Sequence, residues 1–286
     1  MKKTIGGLLC AVLLLTGCGQ EEVEKGPLPS DEFLVIGHRG ASAYVAENTL
    51  ASYGLAEELN ADYVELDIHL TKDDKLVVMH DKDVEGTTEE SGKIESFTLD
   101  ELKELSANFR YKDEEKIATM GQSEMYAVPT LEEVFSQFGD NMNFIIELKE
   151  PQDYPGIEEK LLQVLQKLDM IGFDEDGRPK IVIQSFDEAG LKKIHELNKD
   201  IPLLKLISFD EGEEAELSAK EIAGLLDYAA GIGVSYEAVT APFIHDMQKK
   251  GLLVYAYTVN DAETALKMMS FGANGIHTDR PDILDN

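Results

Sequence analysis

From residue 33 onward, short β-rich apolar runs alternate with stretches of helical periodicity, and this alternation constrains the fold more than any other feature of the chain. The strand candidates are residues 33–37, 63–70, 76–81, 143–149, 180–185, 202–207, 230–235, 252–259 and 274–278. Helical patterns occupy residues 48–59, a short stretch beginning at Thr130, and residues 157–168, 188–197, 219–228, 242–250 and 261–271. Only a polar turn, residues 71–75, separates the second and third runs. That is too little chain for a crossover helix, so these two runs form an antiparallel hairpin. Setting aside the returning arm leaves eight parallel strands over about 250 residues, the size of a closed (β/α)8 TIM barrel. An open doubly wound sheet is the rival, but no glycine-rich nucleotide loop follows the first strand. The polar, acidic residues 82–128 interrupt the alternation after the hairpin and read as a small insertion, either a lid over the barrel mouth or a solvated excursion.

The chain ahead of the barrel reads as a targeting segment. Lys2 and Lys3 precede an apolar run, residues 5–15, that is too short to span a bilayer comfortably. The run ends in Leu15-Thr16-Gly17-Cys18, which resembles the lipobox of bacterial lipoproteins. The resemblance implies that residues 1–17 are a cleaved signal peptide and that Cys18 is acylated. The protein is then expected to be lipid-anchored on the extracytoplasmic face of the bacterial cell membrane, stably so if more than one acyl chain is added. Cys10, the only other cysteine, lies in the removed segment, which leaves no disulfide framework and no cysteine metal site. Residues 18–31, polar and carrying Pro27 and Pro29, read as a tether to a single barrel domain over residues 32–286.

Charge narrows the partners. With 26 basic and 56 acidic side chains the formal net charge is -30, so the surface repels nucleic acid phosphates. An anionic small-molecule substrate would need cations gathered locally at the site.

In a barrel of this kind, chemistry sits at the C-terminal ends of the strands. The polar residues placed there are His38 and Arg39 after the first strand, Glu65 and Asp67 on the second, His80 and Asp81 at the end of the returning arm, Glu147 and Lys149 on the third barrel strand, and Asn260 after the seventh. Glu65 and Asp67 are two apart on a strand and share a face. Buried alone they would repel, and a divalent cation between them removes the conflict. Glu147, on the neighbouring strand, is a candidate third ligand. Three carboxylates suit a hard ion, calcium or magnesium, better than zinc. His38 and His80 both reach the barrel mouth and can serve as general acid and general base, because imidazole titrates near neutral pH. Arg39 can grip phosphate oxygens and Lys149 can act as a point charge beside them. His69, His195, His245 and His277 read as structural or surface residues.

Taken in order, His38-Arg39-Gly40, Glu47-Asn48-Thr49, Glu65-Leu66-Asp67, His80-Asp81, Ile146-Glu147-Leu148-Lys149, Gln184-Ser185-Phe186, Thr258-Val259-Asn260 and Thr278-Asp279-Arg280-Pro281 resemble the motifs of the glycerophosphodiester phosphodiesterase family. The resemblance runs from about residue 33 to the C-terminus. It implies a TIM barrel with a small insertion after the His80 strand, calcium or magnesium held by Glu65, Asp67 and Glu147, and acid/base catalysis by His38 and His80. It also implies phosphate contacts from Arg39 and Lys149, with Glu47 and Asn48 lining the same site. Family members release glycerol 3-phosphate and an alcohol, by one route through attack of the neighbouring glycerol hydroxyl and a cyclic phosphate. The chain departs from the family pattern in Ala46 for the usual proline, Tyr257 for a common tryptophan, and Glu85-Gly86 ahead of Thr87 and Thr88 where an arginine is frequent.

The expected function is therefore metal-dependent hydrolysis of a glycerophosphodiester. A lysophospholipase D-like or teichoic acid phosphodiesterase would use the same chemistry on a larger substrate. A solute-binding lipoprotein is the non-enzymatic alternative, and it would need two lobes around a cleft.

Overall fold

The computed structural model describes residues 28–111 and 125–285. The proposed signal segment, Cys18, the tether as far as residue 27, and residues 112–124 of the insertion lie outside the described residues. The strands are β1 (Leu34–Gly37), β2 (Tyr63–Leu70), β3 (Leu76–Val78), β4 (Phe144–Leu148), β5 (Ile181–Ser185), β6 (Leu203–Ile207), β7 (Gly231–Ser235), β8 (Leu253–Tyr257) and β9 (Gly275–Thr278). Strand β3 pairs antiparallel with β2, as the short turn demands. The other eight pair in parallel, and β1 bonds to both β2 and β9, so the sheet closes into a barrel.

The helices are α1 (Leu50–Glu58), α2 (Leu99–Lys103), α3 (Leu131–Phe138), α4 (Ile157–Lys167), α5 (Glu188–Leu197), α6 (Ala219–Leu226), α7 (Ala241–Lys249) and α8 (Ala262–Phe271). Six of the seven that connect parallel strands start at a side-chain cap: Thr49, Thr130, Asp187, Ser218, Thr240 and Asp261 each accept a backbone N–H of the first turn. Outward-facing side chains such as Val64, Leu66, Ile68, Ile146 and Ile183 form the main core with these helices.

The barrel interior is divided along its axis. Toward the N-terminal ends of the strands it is apolar, filled by Leu34, Ile36, Tyr63, Ile145, Val182, Leu204 and Tyr255. Gly275 makes room for this layer, since a Cβ there would stand 2.5 Å from the Leu34 carbonyl and 3.1 Å from the Tyr255 ring. Toward the C-terminal ends the same faces carry Glu65, Asp67, Glu147 and Gln184.

Two stretches differ from the sequence reading. Leu28, assigned above to the tether, is 3% exposed and joins the apolar interior layer from ahead of β1. Close by, the Ser30 carbonyl accepts from Asn274 Nδ2 at 3.3 Å. Packing therefore begins within the segment read as tether, because one leucine among polar neighbours carries no periodicity that a sequence reading can register. The insertion is likewise more than a solvated excursion in its described part. Val84, Ile94, Leu102, Leu105, Ala107 and Val128 pack on Val77 and Met79 as a satellite core. Their spacing follows no single period because short 3₁₀ turns, Val84–Gly86 and Ile94–Ser96, carry the first two, the short α2 carries Leu102, and the rest lie in irregular chain.

Leu28→Ala is expected to lower unfolding stability in urea by about 2–5 kcal/mol, as for other buried leucines. Leu197→Ala, at a position 48% exposed, is expected to change it by about 0.5 kcal/mol or less.

Candidate active site

The site grows from the register of β2 and β4. Asp67 pairs with Glu147 across the two strands, and Glu65 lies one inward position below Asp67. One oxygen from each of Glu65, Asp67 and Glu147 lies within 4.8 Å of the other two, and all three residues are buried. At such spacing, two unit charges near a protein surface repel by roughly 3–4 kcal/mol per pair. Burial, reinforced by Asp67 and Glu147, pushes the Glu65 carboxyl well above the ordinary range, and burial with Asp67 also raises Glu147. Asp67 is held below its usual value in spite of its burial by Lys149, Arg39 and His80 and by the hydrogen bond from Asn48. Lys149 Nζ lies 2.8 Å from Glu147 Oε1 and 3.7 Å from Asp67 Oδ1. Arg39 Nε lies 3.7 Å from Asp67 Oδ2.

The loop between β1 and α1 supports this cluster from one side. Arg39 adopts φ 58° and Asn48 φ 52°. The left-handed turn at Arg39 lets its backbone N–H donate to Glu65 Oε2 at 2.9 Å, and Asn48 N–H donates to the Arg39 carbonyl at 3.1 Å. Gly40, at φ 89°, is where α1 crosses the loop, and a Cβ there would stand 2.4 Å from Ser52 Oγ. Asn48 Nδ2 donates to Asp67 Oδ2 at 2.9 Å and is itself fixed by the Tyr53 hydroxyl at 2.8 Å. Glu47 accepts from Arg39 Nη1 at 3.1 Å and from the Tyr111 hydroxyl of the insertion at 2.9 Å.

Above the carboxylates is a cavity of about 250 Å³ whose lining includes His38, Arg39, His80, Glu147, Lys149 and Tyr257. His38 Nδ1 is 2.7 Å from Asp279 Oδ1, which also accepts from Ser42 Oγ at 3.0 Å. Despite its burial, Asp279 is held below the usual carboxylate range by His38, Ser42 and Asn260. His80 Nδ1 is 2.8 Å from the exposed Asp81. Burial, helped by Arg39 and Lys149, lowers the His80 imidazole, which is therefore neutral at neutral pH.

Every sequence-derived site residue within the described chain converges here: His38, Arg39, Glu47, Asn48, Glu65, Asp67, His80, Glu147 and Lys149. The exception is Cys18, which lies outside the described residues. Of the histidines read as structural, His245 is exposed and His195 half-buried. His69 and His277 are buried, and His277 lines the cavity with its ring 6.5 Å from that of His38. Asp279 and Gln184 are the residues that reading residue types missed. Both stand in motifs quoted above, but their roles depend on barrel closure, which lays β9 against β1, and on β5 lying beside β4.

Buried without a partner at Nε2, His277 is depressed to about 3 from 6.5, chiefly by burial. The unfolded imidazole thus binds its proton first as pH falls. Stability from neutral His277 is fully present above pH 6.5 and is lost as the pH falls toward 3. The expected outcome is a urea midpoint that declines through this window. His277→Asn should make that decline shallower by about 1.4 kcal/mol per pH unit.

Comparison with known proteins agrees with this geometry. Residues 38–283 match the model of the glycerophosphoryl diester phosphodiesterase family. The chain is 37% identical to a glycerophosphodiester phosphodiesterase of Bacillus subtilis over 265 residues, covering 91% of this chain and 88% of that one. A glycerophosphodiester phosphodiesterase of Caldanaerobacter subterraneus is 33% identical over 256 residues, covering 88% and 96% of the two chains. Among solved structures, an Oleispira antarctica phosphodiesterase in complex with the product sn-glycerol-3-phosphate superposes with a TM-score of 0.72 at 29% identity, covering 90% of this chain and 96% of that one. With a closed parallel barrel and a family match that spans all of its strand-end motifs but the few residues ahead of His38, this chain belongs to the glycerophosphoryl diester phosphodiesterase family.

Proposed function

We propose that the protein hydrolyses glycerophosphodiesters to glycerol 3-phosphate and an alcohol, with a divalent cation and two histidines. The observation that carries this reading is that His38 and His80 line one cavity with Glu147, which clusters with the buried Glu65 and Asp67. The donor set fits a hard cation: it offers only carboxylate oxygens, and Asp67 Oδ1 is buried without a hydrogen-bond donor beside the other two acids. Glu65, Asp67 and Glu147 would hold calcium or magnesium, which when bound supplies charge neutralisation at the phosphoryl oxygens.

The chain's own residues supply the rest. Arg39 and Lys149 draw the phosphate into an otherwise acidic protein and face the charge that develops on its oxygens. Neutral His80 is suited to take the proton of the attacking glycerol hydroxyl. His38, whose ring Asp279 orients through Nδ1, is suited to protonate the departing alkoxide as its bond to phosphorus breaks. In the second half the roles reverse. His38 takes a proton from water, His80 returns its own to the glycerol oxygen, and the cyclic phosphate opens to glycerol 3-phosphate. The test is a steady-state assay on glycerophosphocholine. Activity should vanish in excess chelator and return with calcium or magnesium, while His38→Ala and His80→Ala each lower turnover about 10²- to 10⁴-fold. A diester with an activated leaving group should suffer less in His38→Ala than glycerophosphocholine does. Full activity in chelator would overturn the metal reading, and near wild-type turnover in both variants would overturn the histidine mechanism.

Lipid anchoring through Cys18 on the extracytoplasmic face of the membrane is proposed on the lipobox-like sequence alone. No helix among the described residues is long and apolar enough to cross a membrane. Cys18→Ala should abolish labelling by a radioactive or clickable fatty acid and move the protein out of the membrane fraction. Unchanged labelling would refute the lipobox reading.

A further inference from the structure

His80 occupies an awkward place in the fold. It follows β3, whose ladder to β2 spans three residue pairs and ends at Val78 opposite Ile68. Past that point the Met79 N–H still donates to the Asp67 carbonyl at 3.1 Å. The main chain then leaves the sheet, and a residue there has no ladder partner to fix it. Yet a proton-transferring imidazole must be held within a fraction of an ångström of its reacting oxygen.

The contact that takes over is made by a side chain. His69 lies on the inward face of β2, two residues beyond Asp67, and is 1% exposed. Its Nε2 stands 3.1 Å from the main-chain carbonyl of His80, and its Nδ1 stands 3.0 Å from the Tyr154 hydroxyl. A carbonyl can only accept, so Nε2 carries the hydrogen and donates. In the neutral ring that burial favours, Nδ1 then accepts from Tyr154, which fixes the tautomer from behind. The Tyr154 ring also meets the imidazole edge-on at 5.4 Å. Tyr154 comes from the segment that follows Lys149, and this segment grips the His80 arm a second time: Lys82 Nζ is 2.9 Å from Glu150 and 3.7 Å from Asp153.

We propose that His69 is a positioning residue for the reaction. With Tyr154 behind it, it pins the main chain of His80 at the point where β3 leaves the sheet, and so sets where the His80 imidazole stands over the carboxylates. The inference rests on the reading of His80 as a proton carrier. It gives a chemical task to a histidine that touches neither substrate nor cation site.

The experiment is a double-mutant cycle on the full-length protein with saturating magnesium or calcium. His69→Leu keeps the volume and removes the donor, and kcat on glycerophosphocholine should fall about 10- to 100-fold with KM little changed, the scale expected when a catalytic group is misplaced by about 1 Å. His69→Gln should recover most of the loss, because its amide N–H can reach the same carbonyl. Tyr154→Phe should cost only a few-fold, since the donor remains. In a His80→Ala background, His69→Leu should have no further effect on the residual turnover. An equal loss in both backgrounds would overturn the proposal and make His69 a general structural residue, as would recovery of His69→Leu by excess cation, which would place the damage at Asp67. Wild-type turnover in His80→Ala alone would overturn the proton-carrier reading beneath the proposal, and that variant is read before the cycle is interpreted.

Discussion

The structure turns on three carboxylates that cannot all be charged and close together without help. Glu65, Asp67 and Glu147 are buried within 4.8 Å of one another at the mouth of the barrel. Lys149 and Arg39 offset part of that charge, and both are tied to the cluster by more than attraction. Arg39 is locked by the left-handed turn that also sends its N–H to Glu65, and Lys149 by a short contact to Glu147. Two cations against three acids leave one acid without an opposite charge, and the Glu65 carboxyl, pushed well above its ordinary range, is where that shortfall shows.

Such a pocket can exist only on a scaffold that resists collapse and loosening alike. The apolar lower layer of the barrel supplies this. Leu34, Ile36, Tyr63, Val182, Leu204 and Tyr255 fill the interior directly beneath the acids, and Leu28 joins them from ahead of the first strand. The strands are therefore divided in function along their length: the N-terminal portion packs and the C-terminal portion presents. Packing at the density of an organic crystal keeps the upper side chains in register. The same rigidity makes the exceptions informative. The His80 arm, which runs off the edge of its ladder, is held instead by side chains from β2 and from the segment after β4.

The electrostatics also separate the two histidines. His38 leans on the half-buried Asp279, a carboxylate held below its usual range by His38, Ser42 and Asn260. Burial, with Arg39 and Lys149 nearby, lowers the His80 imidazole against the pull of Asp67 and of the exposed Asp81. Two imidazoles in one cavity thus stand in different electrostatic surroundings, without any difference in residue type.

Sequence alone determined the element order, the antiparallel hairpin, the eight-strand count and the identity of the nine site residues seen in the fold. The elements and seven of those residues follow from local rules: periodicities of two and 3.6, a turn too short for a helix, and polar residues at the ends of apolar runs; Glu47 and Asn48 are implied by the family resemblance instead. Tertiary structure decided everything that depends on which strand ends lie side by side. Asp279 belongs to His38 only because the barrel closes β9 onto β1, and Glu147 stands level with Asp67 only because of the β2–β4 register. Leu28 and the satellite core of the insertion escaped the sequence reading for the opposite reason. Their burial arises from contacts with distant chain and leaves no local period to detect. His69 combines both limits. Its position on the inward face of β2 was legible from alternation, but its grip on His80 exists only once the hairpin folds back and the segment carrying Tyr154 packs behind it.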